Sequence, residues 1–114
     1  MIGPGTRICL DSTKVESIIP SFMHTLAENL PLMYQEVMKS IPPEFVDENG
    51  EFRALALDDV LWKTDQLFWW FHEDLWEAME KMEPVGCHFG TRVLADGIWF
   101  GYWSDTFARK EVAG

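Results

Sequence analysis

This chain has few basic residues, few cysteines and no long apolar run, and each shortage excludes a class of protein. Nine lysines and arginines stand against 19 aspartates and glutamates, so the formal net charge is −10. Binding nucleic acid directly requires clustered basic side chains that neutralise phosphates, so we do not expect it. No apolar run approaches the roughly 20 residues that cross a bilayer, and the first residues do not resemble a secretory signal. We therefore expect a cytoplasmic protein that makes no membrane contact.

Residues that perform chemistry are also scarce. Cys9 and Cys87 are far apart, which favours reduced thiols over a disulfide scaffold. The residues after His72 depart from the zinc-binding pattern H-E-x-x-H because position 76 is tryptophan. The pair Cys87 and His88 has no matching pair of metal ligands elsewhere, and no nucleophile motif or phosphate-binding glycine loop occurs. We expect no metal, no cofactor and no catalytic residue, and hence a protein that is not an enzyme.

Aromatic side chains are abundant instead. They make up 14% of the chain, including six tryptophans and eight phenylalanines, in a composition that is 47% hydrophobic. A chain of 114 residues is long enough to form one domain with its own core, so we expect a single domain over residues 1–114. So small a domain does not easily bury every ring, and we expect some aromatic surface to remain for a partner.

The N-terminal half predicts one short strand and two or three helices. Thr6 to Leu10 fits an edge strand, and Thr13 begins a capping box typical of a helix start. We expect Pro20 to kink or restart this first helix and Pro31 to begin the next one. The polar segment from Glu44 to Arg53 predicts a loop.

The longest predicted helix runs from Leu57 to Met82. Ten apolar residues fall within about 120° of arc at 100° per residue and are predicted to face the core: Leu57, Val60, Leu61, Leu67, Phe68, Phe71, Leu75, Ala78, Met79 and Met82. Trp62, Trp69 and Trp76 form a second line, because each step of seven residues drifts by only ~20°. Two interpretations of this tryptophan ridge stay open. It packs against the rest of the chain, or it anchors a partner, since tryptophan is favoured at interface hot spots.

Acidic side chains are concentrated around the predicted helix. Residues 44–83 contain twelve acidic residues and three basic ones, which is −9 of the total charge of −10. Such a surface suits a partner protein with a basic surface, including a nucleic-acid groove. The alternative is a solvated face that keeps the protein soluble. The candidate partner-binding residues are the ridge and the acids beside it: Trp62, Asp65, Trp69, Glu73, Trp76 and Glu80.

The C-terminal part predicts a β-hairpin. Cys87 to Leu94 and Ile98 to Trp103 read as strands, and Asp96-Gly97 between them is a hairpin signal. Gly90 and Gly101 weaken strand pairing unless a bulge or a neighbouring ring needs the space. The predicted fold class is therefore α+β, with N-terminal helices, one long amphipathic helix and a C-terminal antiparallel β-hairpin.

The end of the chain resembles a motif of small phage- and prophage-encoded proteins of unassigned activity. The residues that resemble it are Pro84-Val85-Gly86-Cys87-His88-Phe89-Gly90, Asp96-Gly97 and Phe100-Gly101-Tyr102-Trp103, whereas residues 91–95 depart from the motif. The resemblance implies a scaffold carried by mobile elements, with no catalytic residue to transfer. By analogy with small acidic phage proteins, we expect a non-enzymatic inhibitor of a host defence complex, such as a CRISPR effector or a restriction nuclease. The alternative is a self-associating accessory protein, in which the ridge or the hairpin edge forms a homodimer interface.

Overall fold

A computed structural model describes residue 3, residues 5–10 and residues 14–104 of the chain. The fold is α+β, as the sequence predicts, and the C-terminal strands form the expected hairpin. The capping box predicted at Thr13 lies outside the described residues. In chain order the strands and α-helices are β1 (Thr6–Leu10), α1 (Val15–Asn29), α2 (Pro31–Met38), α3 (Asp65–Trp70), α4 (Trp76–Glu80), β2 (Cys87–Leu94) and β3 (Gly97–Ser104).

The sheet has three antiparallel strands in the order β1-β3-β2. Leu94 pairs with Gly97, so two residues form the turn between β2 and β3. Strand β1 is the short edge strand predicted from the sequence, and its register on β3 shifts between Arg7 and Cys9. Strand β2 forms the other edge and keeps an unbroken register over all eight residues.

Gly101 lets β1 and β3 approach each other closely. A Cβ atom at this position would overlap the carbonyl oxygen of Thr6 and the indole ring of Trp103. Gly90 is its cross-strand partner, where a Cβ would be 3.8 Å from the nearest neighbouring atom, in His88. The prediction that a strand glycine makes room for a ring is therefore confirmed at Gly101.

The core lies between the helices and one face of the sheet. Phe22 of α1 contacts Phe71, Phe89 and Phe100, with ring centroids 5.7, 5.4 and 5.1 Å away. The buried hydroxyl of Tyr102 donates a hydrogen bond of 2.6 Å to the Met79 carbonyl and joins the sheet to α4. Rings from three parts of the chain therefore meet around Phe22, and helices and sheet contribute to one core.

Helix α1 continues through Pro20 and does not restart there. Proline has no amide hydrogen, so one hydrogen bond to the preceding turn is lost. Pro20 is in the second turn of a 15-residue helix, whose buried residues on both sides of it hold the helix against the core. Pro31 is the first residue of α2, where a missing amide hydrogen costs nothing because that position has no partner within the helix.

The predicted continuous helix from Leu57 to Met82 is interrupted twice. Residues Val60–Lys63 form a separate 3₁₀ turn, and Thr64 is extended, with ψ at 149°. The Thr64 hydroxyl caps α3 by accepting from the Leu67 amide at 3.4 Å. Residues Phe71–Leu75 then form a π-helical turn between α3 and α4. The helical region therefore begins at Asp65. Because the π turn has more residues per turn than an α-helix, a single helical period does not describe which of its side chains share a face.

These two interruptions change which apolar residues face the core. Six of the ten residues in the predicted core stripe are buried: Leu67, Phe71, Leu75, Ala78, Met79 and Met82. The prediction is wrong for Leu57 and Val60, whose side chains are 72% and 77% exposed, because they precede the Thr64 break. It is also wrong for Phe68, which is 44% exposed. Trp70 takes a core position instead, and its indole N–H donates to the Val37 carbonyl at 3.0 Å.

Candidate protein-binding surface

Trp62 belongs to the core and not to a binding surface. Its side chain is 2% exposed, and its ring packs edge-on against Phe45 with the centroids 4.8 Å apart. The indole N–H donates to the Ala56 carbonyl at 2.8 Å. The extended backbone at Thr64 separates this residue from α3, so Trp62 does not lie on the surface of that helix. The prediction of Trp62 as a partner contact is therefore wrong.

Trp76 is half-buried at the margin of the core. Its ring contacts Phe89 and Phe100, at centroid distances of 4.8 and 5.8 Å. The π turn between Trp69 and Trp76 adds one residue to a helical turn. All later side chains are therefore rotated by about 100° about the helix axis, relative to a continuous α-helix. The two indoles therefore point in different directions, and the predicted ridge of three tryptophans does not form. The packing of Trp76 against the sheet gives it a structural role.

Trp69 is the one member of the predicted ridge that is largely exposed, at 59% of its side chain. The ring of Phe68 lies 5.3 Å from that of Trp69 and 4.3 Å from the ring of His72. All three side chains are exposed and adjoin the start of the π turn. We call Phe68, Trp69 and His72 the aromatic patch. An exposed cluster of large rings is typical of a surface that contacts another molecule.

Acidic side chains extend along the same helical region. Asp65, Glu73 and Glu80 are exposed, as the sequence predicts for partner contacts, and so are Asp74 and Glu77. We call these five residues the acidic strip. Within residues 65–81 the only lysine or arginine is Lys81, which pairs with Glu77 at 3.4 Å. The strip therefore has a net negative charge directly beside the aromatic patch.

A groove of about 210 Å³ between α2 and α4 continues the acidic strip. Its lining includes the acidic residues Glu36, Asp74 and Glu77 and the basic residue Lys81, together with Ser40 and the apolar residues Met33, Val37 and Ala78. Glu36 also pairs with Lys39 at 3.1 Å, and both side chains are exposed to solvent. The lining therefore has more acidic than basic side chains, and the pairs Glu36–Lys39 and Glu77–Lys81 already neutralise part of that charge.

The sheet carries basic side chains on the face turned away from the helices. The guanidinium carbon of Arg7 lies 5.2 Å from the centroid of Trp99. Asp96 accepts the Trp99 indole N–H at 3.0 Å and pairs with Arg7 at 3.7 Å. Arg92 is the cross-strand partner of Trp99 on β2. Two arginines thus lie on the sheet, one of them paired with an aspartate, while the helical surface of α3 and α4 is acidic.

The described residues do not form a cluster suited to a metal ion. In residues 3, 5–10 and 14–104 no group of three or more histidine, cysteine, aspartate or glutamate side chains is placed to hold a metal ion. Burial, and secondarily the charge of Glu83, raises the pKa of the Tyr102 hydroxyl, but that hydroxyl is occupied by the Met79 carbonyl inside the core. Over the same residues no helix is both long and apolar enough to span a membrane.

The sequence pattern missed two members of the aromatic patch. The helical period from Leu57 places Phe68 in the apolar stripe and so predicts a core position. The sequence offers His72 only as a candidate metal ligand or general base. The run of four consecutive rings from Phe68 to Phe71 is the available signal, since four successive helical residues spread over about 300° and cannot all face the core. The π turn that follows Phe68 and Trp69 has no signature in the sequence that we can identify.

Comparison with known proteins does not assign this chain to a family. No protein-family model matches it, and neither a curated protein nor a solved structure is significantly similar to it.

Proposed function

We propose that this protein acts by binding another protein, through the aromatic patch and the acidic strip, at a basic surface of that partner. The observation that supports this proposal is the juxtaposition on α3 of exposed Trp69 and Phe68 with unburied carboxylates on either side. Solvated acids alone would serve solubility. Large exposed rings do not, because they lower solubility unless a partner covers them.

The two parts of the surface have different physical roles in this proposal. The acidic strip raises the rate of association with a basic partner by long-range attraction, and this effect weakens as salt screens the charges. The aromatic patch supplies most of the affinity, because tryptophan and phenylalanine bury a large area with few rotatable bonds. Loss of acidic residues should therefore change mainly the association rate, and loss of Trp69 mainly the dissociation rate.

We further propose that the partner is a nucleic-acid-binding protein of a host defence system, such as a CRISPR effector or a restriction nuclease. The acidic strip has the sign of a phosphate backbone and would compete for a groove that holds DNA or RNA. The similarity of the C-terminal motif to small phage-encoded proteins favours a defence protein over other nucleic-acid-binding partners. The protein would act by occupying that groove without performing chemistry.

The test is an affinity pull-down of the tagged protein from its host, washed at low and at high salt, with the captured proteins identified. We expect a nucleic-acid-binding protein that is retained at low salt and displaced by added DNA or RNA. Glu73→Lys and Trp69→Ala should each abolish its capture. Glu48→Lys is the matched control, because Glu48 is also exposed but lies in the loop before Gly50. Capture that survives both Glu73→Lys and Trp69→Ala would contradict the proposal.

Self-association is a second candidate function, and the edge of β2 favours it. This strand has no bulge, and Val93 on it is 74% exposed beside its exposed cross-strand partner Ile98. Glu83 caps the edge at one point, since its carboxylate accepts the Phe89 amide at 2.7 Å. Thr91 and Val93 are exposed on this edge, where we propose that a second copy pairs antiparallel.

Salt dependence distinguishes the two candidates. A dimer joined by backbone hydrogen bonds and apolar contact should persist at high salt, because salt screens the repulsion between two chains of charge −10. Sedimentation of the purified protein at several concentrations and two salt levels measures this directly. Val93→Lys should abolish a dimer that forms through the edge of β2. Leu57→Lys, at an apolar position of similar exposure, should not. A monomer at every concentration would exclude self-association.

A further inference from the structure

The sheet contains an arginine that is held by a tryptophan and a carboxylate. On the sheet, the Arg7 guanidinium lies over Trp99, and Asp96 contacts both residues through its two oxygens. The aromatic face attracts the cation, and the carboxylate adds a charged partner at its edge. All three side chains belong to the same chain, so the arginine already has its aromatic and its charged partner.

Helix α3 presents two of the same three components without the arginine. Trp69 is exposed, and Asp65 lies four residues before it on the same side of the helix. Glu73 follows four residues after Trp69, within the π turn. In the part of the chain that the structure describes, neither carboxylate forms a salt bridge, and the ring contact of Trp69 is with Phe68.

We infer that the partner supplies the missing component, as an arginine side chain that stacks on Trp69 and Phe68 and pairs with Asp65 or Glu73. This inference rests on the proposed function and specifies the residue type that the aromatic patch recognises. Arginine fits better than lysine because its guanidinium is planar, weakly hydrated and able to offer two donors to a carboxylate while it lies on a ring. A lysine ammonium is compact and strongly hydrated, so it gains less from the indole face.

The experiment compares labelled octa-arginine and octa-lysine peptides, titrated with the purified protein at low ionic strength and followed by fluorescence anisotropy. We expect both peptides to bind, and octa-arginine to bind more tightly. Trp69→Leu keeps an apolar side chain but removes the aromatic face. It should reduce the ratio of the two affinities by about two- to fivefold, the range of an exposed cation–π contact. Trp69→Phe should retain part of the preference.

Two controls separate a local contact from a change in folding. Leu32→Ala removes another exposed apolar side chain, on α2, and should leave the arginine preference unchanged. Asp65→Asn with Glu73→Gln should weaken octa-arginine more than Glu48→Gln, which removes an acid outside the acidic strip. Circular dichroism confirms that each variant is folded, and the indole N–H signal of Trp69 should shift on titration with octa-arginine.

The outcomes distinguish this inference from the proposed function. Equal binding of both peptides to the wild-type protein would overturn the arginine preference, while binding to an acidic surface would stand. The same conclusion follows if Trp69→Leu weakens both peptides by the same factor, because the contact would then be apolar only. If neither peptide binds the wild-type protein even at low salt, the proposed basic partner is itself contradicted.

Discussion

Trp62 and Trp69 occupy equivalent positions in the sequence repeat, yet their replacement should have different effects on stability. Trp62 is 2% exposed and Trp69 is 59% exposed. A buried tryptophan removes about 150–250 Å² from water, which at about 25 cal/mol per Å² is roughly 4–6 kcal/mol as an upper bound. Trp62→Ala also leaves the Ala56 carbonyl without its indole donor. We therefore expect it to lower the free energy of unfolding by about 3–5 kcal/mol.

The corresponding change at Trp69 should cost about 1 kcal/mol. Only about two-fifths of its side chain is buried, and alanine, as a better helix former, recovers about 0.5 kcal/mol. Domains of this size are stable by about 5–15 kcal/mol, so Trp62→Ala could leave little folded protein. Trp62→Phe is therefore measured beside it. That variant retains a ring against Phe45 but loses the hydrogen bond to Ala56, which should cost about 1–2 kcal/mol.

Urea unfolding followed by circular dichroism gives the free energies for all three variants. The expected order of destabilisation is Trp62→Ala, then Trp62→Phe, then Trp69→Ala. An equal loss of stability for alanine at positions 62 and 69 would refute this reasoning. It would mean that the indoles of Trp62 and Trp69 are equally buried, as they would be if a continuous ridge packed against the rest of the chain. Trp69 would then be unavailable to a partner.

Three further predictions concern the fold. Gly101→Ala should destabilise the protein by about 1–3 kcal/mol in urea unfolding because its Cβ overlaps neighbouring atoms, whereas Gly90→Ala across the strand should cost clearly less. Burial raises the pKa of Tyr102 above that of an unfolded tyrosine, so the folded state retains a proton that the unfolded state releases at high pH. Stability should therefore be full below about pH 10 and fall above it. Tyr102→Phe should reduce that fall. At neutral pH the same change should lower stability by about 1 kcal/mol, because the Met79 carbonyl loses its hydrogen-bond donor. Thr64→Ala should lower stability by about 1 kcal/mol through loss of the α3 cap. Thr64→Ser keeps the hydroxyl and should keep that stability. Equal stability of these two variants in urea unfolding would contradict the capping role.

The sequence by itself determined the elements that depend on local signals. The Asp96-Gly97 turn between two apolar segments predicted the hairpin, and Pro31 predicted the start of α2, because turn and helix-start chemistry involve only neighbouring residues. The acidic character of the surface on α3 and α4 followed from composition, since clustered carboxylates remain in water wherever the helix lies. The exposed positions of Asp65 and Glu73 agree with this.

Only the tertiary structure decided which tryptophans are available at the surface. A seven-residue spacing places Trp62, Trp69 and Trp76 on one line only if the helix is continuous and keeps 3.6 residues per turn. The extended Thr64 and the π turn break that condition. Trp62 was buried by Phe45 and Trp76 by the rings of the sheet, contacts between residues far apart in the chain that no local period encodes. Among the described residues no other element covers Trp69, which is 59% exposed, and it is therefore the ring that we propose as a partner contact.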